Sequence, residues 1–229
     1  MRNYIKNSVQ SINEEKKTYY LYNTPIHILN PFTTKINFSG LLEKIEHLVP
    51  EHLLNNVEVI YIADVKEFNR NNRSFNALYK DGAIYVSPEQ DNEEDLMDDI
   101  IHEIAHSFEK EYEEEIYGDD DLEREFLAKR RTLYHLIDKP TFDITKYINA
   151  EYNAKFDDHL HNDLNYDYLR NVSSGLFYSP YAITSLREYW ANGFENYLLG
   201  DKNTLKELSP ILFSKVETVL NPKEKTYEV

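Results

Sequence analysis

An α+β fold, with strands in an N-terminal lobe and helices in a C-terminal one, is what this sequence predicts. Three observations carry that expectation. Alternating, β-branched runs gather within residues 1–90, the pattern of half-buried strands. Apolar residues at helical intervals dominate residues 91–229. The 229 residues, 41% of them hydrophobic, suffice for one core, and no internal repeat or low-complexity linker divides them. The simplest arrangement is a single domain, 1–229, with a small mixed sheet and helices in residues 1–90, a mainly helical lobe in 91–229, and a cleft between them.

The elements follow in order. Residues 1–20 are polar and helix-like, without a motif. "TPIHILN" (24–30) reads as a short strand stopped by Pro31. "FSGLLEKIEHLVPEHLLNN" (38–56) has helical spacing at Leu41, Leu42, Ile45 and Leu48 and breaks near Pro50. "VEVIYIADV" (57–65) is strand-like, and "FNALYKDGAIYVSP" (75–88) reads as a hairpin turning at Lys80-Asp81-Gly82. Ser87-Pro88 offers a cap and a first-turn proline for a long helix, with Glu93, Glu94 and Asp95 suiting its positive end. The acidic stretch "EYEEEIYGDDD" (111–121) reads as solvated surface. "LEREFLAKRRTLYHLI" (122–137) is a helix, residues 140–180 are Tyr- and Asp-rich with weak periodicity, and 184–199 and 203–220 read as two closing helices, the second restarting at Pro210.

Composition excludes several functions. A net charge of −16, from 25 basic against 41 acidic residues, repels a phosphate backbone and an anionic membrane surface, so neither nucleic acid nor membrane is expected as partner. A basic substrate would be tolerated. Only six glycines occur, with no GxGxxG or Walker-type stretch. The absence of cysteine removes disulfides, thiolate metal sites and cysteine nucleophiles. Without an apolar run long enough for a signal peptide or a membrane span, the expected location is cytoplasmic, or outside the cell by a route without a cleaved signal. No motif addresses the oligomeric state.

Chemistry concentrates in "DDIIHEIAHSF" (98–108). On a helix, His102 and His106 lie about 40° apart round the axis, on one face, while Met97, Ile100, Ile101, Ile104, Ala105 and Phe108 cover the other side. The histidine stripe also carries Asp95, Asp98, Asp99 and Glu109. Two imidazoles one turn apart can share one zinc ion, and Glu103 flanks them where it can take a proton from water activated at the metal.

A catalytic zinc site needs a third protein ligand. "HEIAHSFEKEY" lacks the glycine and histidine of HExxHxxGxxH, so the ligand lies further on. "FDDHLHND" (156–163) holds Asp157, Asp158, His159, His161 and Asp163, but HxH aligns two rings only in a strand, and this stretch reads as a solvated loop or helix face. "TSLREYWANGFENY" (184–197) places Glu188, Asn192 and Glu195 in a polar stripe on an otherwise apolar helix, where a carboxylate is costly to bury unpaired. Ser185-Leu186-Arg187-Glu188 also fits a capping box. Spacing does not separate Glu188 from Glu195.

"HEIAH", followed much later by "YAITSLREYWANGFENY", resembles the gluzincin metallopeptidases related to the anthrax lethal factor catalytic domain and the clostridial Pro-Pro endopeptidases. In that group a tyrosine lies seven residues before the glutamate ligand, as Tyr181 does before Glu188. The resemblance covers about two-thirds of the chain and rests on two short motifs. It implies a zincin-like fold, one zinc ion per chain held by His102, His106 and Glu188, and Tyr181 as hydrogen-bond donor to the oxyanion of the tetrahedral intermediate. The 82 positions from His106 to Glu188 exceed what the group leads one to expect; the excess falls in residues 111–180, read as an insertion.

The function so implied is a zinc-dependent endopeptidase with Glu103 as general base and a protein or peptide substrate bound in extended form. "GAIYVS" (82–87) is the candidate edge strand for that substrate. The alternatives are a non-catalytic, peptidase-like metal-binding or recognition module, and a zinc hydrolase of a non-peptide amide. A purely structural site has no need of Glu103.

Overall fold

The structure, a computed structural model, describes residues 18–70, 73–74, 76–138 and 142–222. The first 17 residues of the stretch read as helix-like lie outside it; Tyr19 and Tyr20 belong to a strand. Strands β1 (Tyr19–Leu21), β2 (Thr24–Ile28), β3 (Val59–Ile62), β6 (Ala77–Lys80) and β7 (Ala83–Val86) form a mixed sheet in the order β1-β2-β3-β7-β6. Two-residue β4 (Asn69–Arg70) and β5 (Arg73–Ser74) pair separately. β2, β3 and β7 run parallel, and β1 and β6 flank them antiparallel. Register aligns Ile26, Ile60 and Ile84 on the buried face. On the opposite face His27, Tyr61 and Tyr85 stack in a row, with centroids 5.7 and 5.3 Å apart. The chain is an α+β fold, as its patterning implied.

Over its described residues, 76–88, the expected hairpin forms around Asp81 and Gly82, whose φ angles of 50° and 80° give the two-residue turn that matches strand twist. One reading of it needs correction. "GAIYVS" contains β7, which lies between β3 and β6 and has no free edge; β6 is the edge strand. Alternation alone could not tell which arm of the hairpin would pair with β3.

Helix α1 (Phe38–Leu48), capped by Asn37, buries Phe38, Leu41, Leu42 and Ile45 and stops ahead of Pro50. Helix α2 (Glu93–Phe108) starts later than its sequence suggested. Ser87 still belongs to the hairpin, its N–H donating to Asn76 O at 2.6 Å, and the cap is Asn92, whose side chain accepts from Asp95 N at 2.9 Å. Glu93, Glu94 and Asp95 do fill the first turn.

The acidic stretch holds a short helix, α3 (Glu113–Tyr117), largely solvated except for buried Ile116. Then come α4 (Asp121–Leu136), α5 (Ile144–Tyr147), α6 (Ala154–Asp158) running into a π-helical turn (His159–Leu164), and α7 (Tyr166–Val172). The chain closes with α8 (Leu186–Leu199), α9 (Lys202–Leu208) and α10 (Pro210–Leu220), restarting at Pro210 as expected. Among the described residues no helix is long and apolar enough to cross a membrane.

Packing of α2 against α8 positions the site. Phe108 meets Trp190 at 6.2 Å and Phe194 at 5.1 Å, both edge-to-face, in a fully buried cluster. α8 rests in turn on α10, where a Cβ on Gly193 would come within 2.2 Å of Leu212 Cδ2. Glu125 joins three helices: it accepts from Tyr189 OH of α8 at 2.8 Å and from the Ile211 and Leu212 N–H groups that open α10, at 2.9 and 3.2 Å. Fully buried Arg130 of α4 donates to Asn149 O and Lys146 O, both at 2.7 Å, with its guanidinium 4.1 Å from the Phe156 ring centre. It thereby ties down the segment whose Ala150 O accepts from Leu186 N, just inside α8.

Candidate metal centre

Two helices bring three ligand atoms together. His102 and His106, on successive turns of α2, have ring centroids 5.0 Å apart. Glu188, in the first turn of α8, sets Oε2 at 3.1 Å from His102 Nε2 and 3.6 Å from His106 Nε2. One ligand atom from each residue lies within 4.8 Å of the others, and among the described residues this is the group that could hold a metal ion. The capping motif is used by half: Ser185 Oγ accepts from Glu188 N at 3.3 Å, while the Glu188 carboxylate turns to the histidines.

Glu195 takes a different place. Its Oε2 lies 3.2 Å from His102 Nδ1, the ring edge away from Glu188. His106 is held likewise, its Nδ1 lying 3.2 Å from Glu109 Oε2. Each imidazole therefore has a carboxylate on Nδ1 and turns Nε2 toward Glu188, the arrangement that fixes metal-ligating histidines in one tautomer and raises their basicity. Two imidazoles and a carboxylate are also a donor set suited to zinc. The residues fit the ion.

Charge in the metal-free cluster follows from these contacts. Burial alone would lower the pKa of His102, but the bonds to Glu188 and Glu195 carry it well above its ordinary value. Burial is likewise overcome at His106, by Glu109 and Glu188, and its pKa rises to about 9. Burial would push the Glu188 carboxyl up, yet the two histidines hold it well below the usual carboxylate range.

Glu103, nearly buried, points toward the sheet edge, where its Oε2 accepts the Tyr79 main-chain N–H of β6 at 2.6 Å. Tyr181, in a 3-10 turn (Tyr181–Ile183) ahead of α8, has its ring 6.0 Å from that of His102. Burial first, then the charges of Glu188 and Glu103, push its phenol well above the ordinary value, with smaller contributions from Tyr166 and Asp157. The phenol is thus kept protonated, as a donor.

The stretch 156–163 is helical with a solvated face, carrying Asp158, His161, Asn162 and Asp163, but its other face is buried, which its sequence did not suggest. His159 is buried, stacked on Phe142 at 4.2 Å between Asp163 Oδ2 at 2.8 Å and Tyr147 OH at 3.2 Å, and Asp157 is buried as well, accepting from Tyr152 OH. His161 is exposed. Neither histidine joins His102, His106 and Glu188. The rings that bury His159 come from residues 142 and 147, too far along the chain for local periodicity to reveal.

The roles of Tyr117, Arg187 and Glu109 are not legible in the sequence, where Glu195 is only a rival ligand to Glu188. Glu109 lay on the histidine stripe and Arg187 next to Glu188; nothing local paired them. Beside His106 opens a cavity of about 1050 Å³, bounded by Tyr79, Tyr117, Tyr152 and Arg187, with Glu109, Glu111, Glu113, Asp120, Glu123 and Glu151 outnumbering Lys110 and Arg187 in charge.

Compared with family models, curated proteins and solved structures, the chain matches none.

Proposed function

We propose that this chain is a zinc-dependent endopeptidase of the gluzincin type with a zincin-like fold. The observation that carries the reading is the convergence of His102, His106 and Glu188 from two helices on one point, with Glu103 and Tyr181 beside it. A zinc ion held there supplies a polarised carbonyl and a water acidic enough to lose its proton near neutral pH.

The chain's own groups do the rest. Glu103, aimed by the Tyr79 amide, takes the proton of the attacking water and delivers it to the departing amine. Tyr181, held protonated, donates a hydrogen bond to the oxyanion as charge develops. Glu195 and Glu109 keep the histidines facing inward. Substrate adds as a strand to β6. The Tyr79 N–H points away from β7, toward Glu103, so Ala77, two residues back, turns its main-chain groups to the same open side. The acidic cavity beside His106 favours peptides with cationic side chains.

The test is zinc content and cleavage together. About one zinc per purified chain, cleavage of a mixed peptide library by wild type, and loss of cleavage with zinc retained in Glu103→Ala are the expected results. A chain that binds zinc but leaves every peptide intact is a binding module or a hydrolase of a non-peptide amide, and the endopeptidase reading fails.

A further inference from the structure

Glu109 sits where an acid is unfavourable. It follows the last residue of α2, at the negative end of the helix dipole, and its side chain is 7% exposed. Four contacts compensate. His106 Nδ1 and Arg187 Nε and Nη2 meet Oε2, the latter two at 2.8 and 2.6 Å, and Tyr117 OH donates to Oε1 at 2.5 Å. The first two partners belong with the proposed ligands: His106 is one of them, three residues before Glu109, and Arg187 is the residue before Glu188. Tyr117 comes from α3, in the stretch whose acidity suggested mere surface.

We propose that Arg187 and Tyr117 are positioning residues that hold Glu109 on His106 and, by strapping the end of α2 to the start of α8, set the affinity of the metal centre. The inference rests on the reading of His102, His106 and Glu188 as zinc ligands. Its physical logic is geometric. His106 Nε2 faces Glu188 only if its ring is fixed at Nδ1, and Glu109 can fix it only while its own charge is paired. Both arginine N–H groups close on Oε2, the oxygen that also meets His106, so one residue orients the acceptor of His106 and, through the backbone, the first turn that carries Glu188. Tyr117 engages the other oxygen and stops the carboxylate from rotating away.

An ordinary interhelical ion pair would look similar, so the experiment separates stability from metal affinity. The double variant Glu109→Met with Arg187→Met removes the buried carboxylate together with its largely exposed cationic partner, so no charge is left buried unpaired, while His106 Nδ1 loses its acceptor. Zinc affinity of the full chain would be measured by competition with a chromophoric chelator, and thermal unfolding in excess chelator. Arg187→Lys and Tyr117→Phe would serve as conservative variants. The expected result is zinc affinity reduced about 10–100-fold in the double variant, with metal-free unfolding little changed, a smaller loss in Tyr117→Phe, and partial retention in Arg187→Lys. Cobalt substituted for zinc should show an altered visible spectrum in the double variant. Wild-type affinity in the double variant and in Tyr117→Phe would overturn the strap while sparing the metal reading. Absence of zinc binding by wild type would instead remove the reading on which it rests. If the double variant does not fold, Tyr117→Phe and Arg187→Lys decide, since unchanged zinc affinity in both sinks the proposal.

Discussion

Glu188 and Glu195 grip opposite edges of one imidazole: Glu188 Oε2 lies 3.1 Å from His102 Nε2, and Glu195 Oε2 lies 3.2 Å from Nδ1. Two acids that look equivalent in the sequence thus take different tasks. Glu188→Ala removes a proposed ligand and should abolish tight zinc binding. Glu195→Ala removes the acceptor behind His102 and should weaken binding by about 10–100-fold. Zinc titration of both variants ranks them, and the reverse order would reassign the third ligand.

Replacing Tyr181 by Phe removes one hydrogen bond that forms fully only as the oxyanion develops. The expected loss is about 100-fold in kcat, with KM within a few-fold of wild type. Steady-state kinetics on a cleaved peptide would read it. A change confined to KM would make Tyr181 a substrate-binding residue.

Zinc binding should release protons. In the metal-free protein His102 and His106 are held protonated, His106 up to about pH 9, whereas a metal requires neutral imidazoles. Apparent zinc affinity should therefore rise from pH 6 toward pH 9. Calorimetry in buffers of different ionisation enthalpy would detect the released protons, and a pH-independent affinity would contradict this charge assignment. For the metal-free fold the sign reverses. Raised histidine pKa values contribute stability that is present below the unfolded value and lost as pH climbs through about 9.

Asp99 offers a separate stability test. Burial drives its carboxyl up to about 7, against a hydrogen bond from Gln90 Nε2 at 2.9 Å and with Glu103 adding repulsion. The folded state then holds a proton that the unfolded chain has released, so this residue destabilises the fold increasingly as pH rises from its ordinary value of 3.8 through 7. Asp99→Asn keeps an acceptor for Gln90 and should unfold at a higher temperature than wild type at pH 8. The difference should close near pH 4. A lower unfolding temperature at pH 8 would show that the charged form is stabilised by contacts stronger than its burial cost.

Gly193→Ala tests the packing that presents Glu188. The new methyl would collide with Leu212 at Cδ2, Cγ and Cδ1, at 2.2, 2.6 and 2.7 Å. Helix propensity favours alanine by about 1 kcal/mol, but overpacking a buried contact costs about 1–3 kcal/mol. Net destabilisation in urea unfolding is expected, and a more stable variant would mean that α8 and α10 separate easily.

Much of this molecule was legible in its sequence because the signals were local. Period-two runs marked β2, β3 and the hairpin, Pro50 and Pro210 marked helix boundaries, and the four-residue spacing of His102 and His106 placed both rings on one helical face with Glu103 at its flank. Where local signals competed, the outcome lay elsewhere. Ser87-Pro88 resembled a cap, but a main-chain bond to Asn76 kept Ser87 in the hairpin and left Asn92 to start the helix.

Sequence patterning by itself determined the α+β class and the pairing of two histidines with a neighbouring glutamate, because each depends on residues within a turn or two of one another. Tertiary structure decided which acid faces Nε2 and which Nδ1, that β6 and not β7 is the open edge, and that Glu109 is held by Arg187 and Tyr117. The open edge depends on which hairpin arm pairs with β3, and the other two outcomes on how α2 crosses α8, where Phe108, Trp190 and Phe194 pack across more than 80 residues of intervening chain. No periodicity within either helix contains that information, because the crossing is chosen by the fit of two surfaces and not by either one alone.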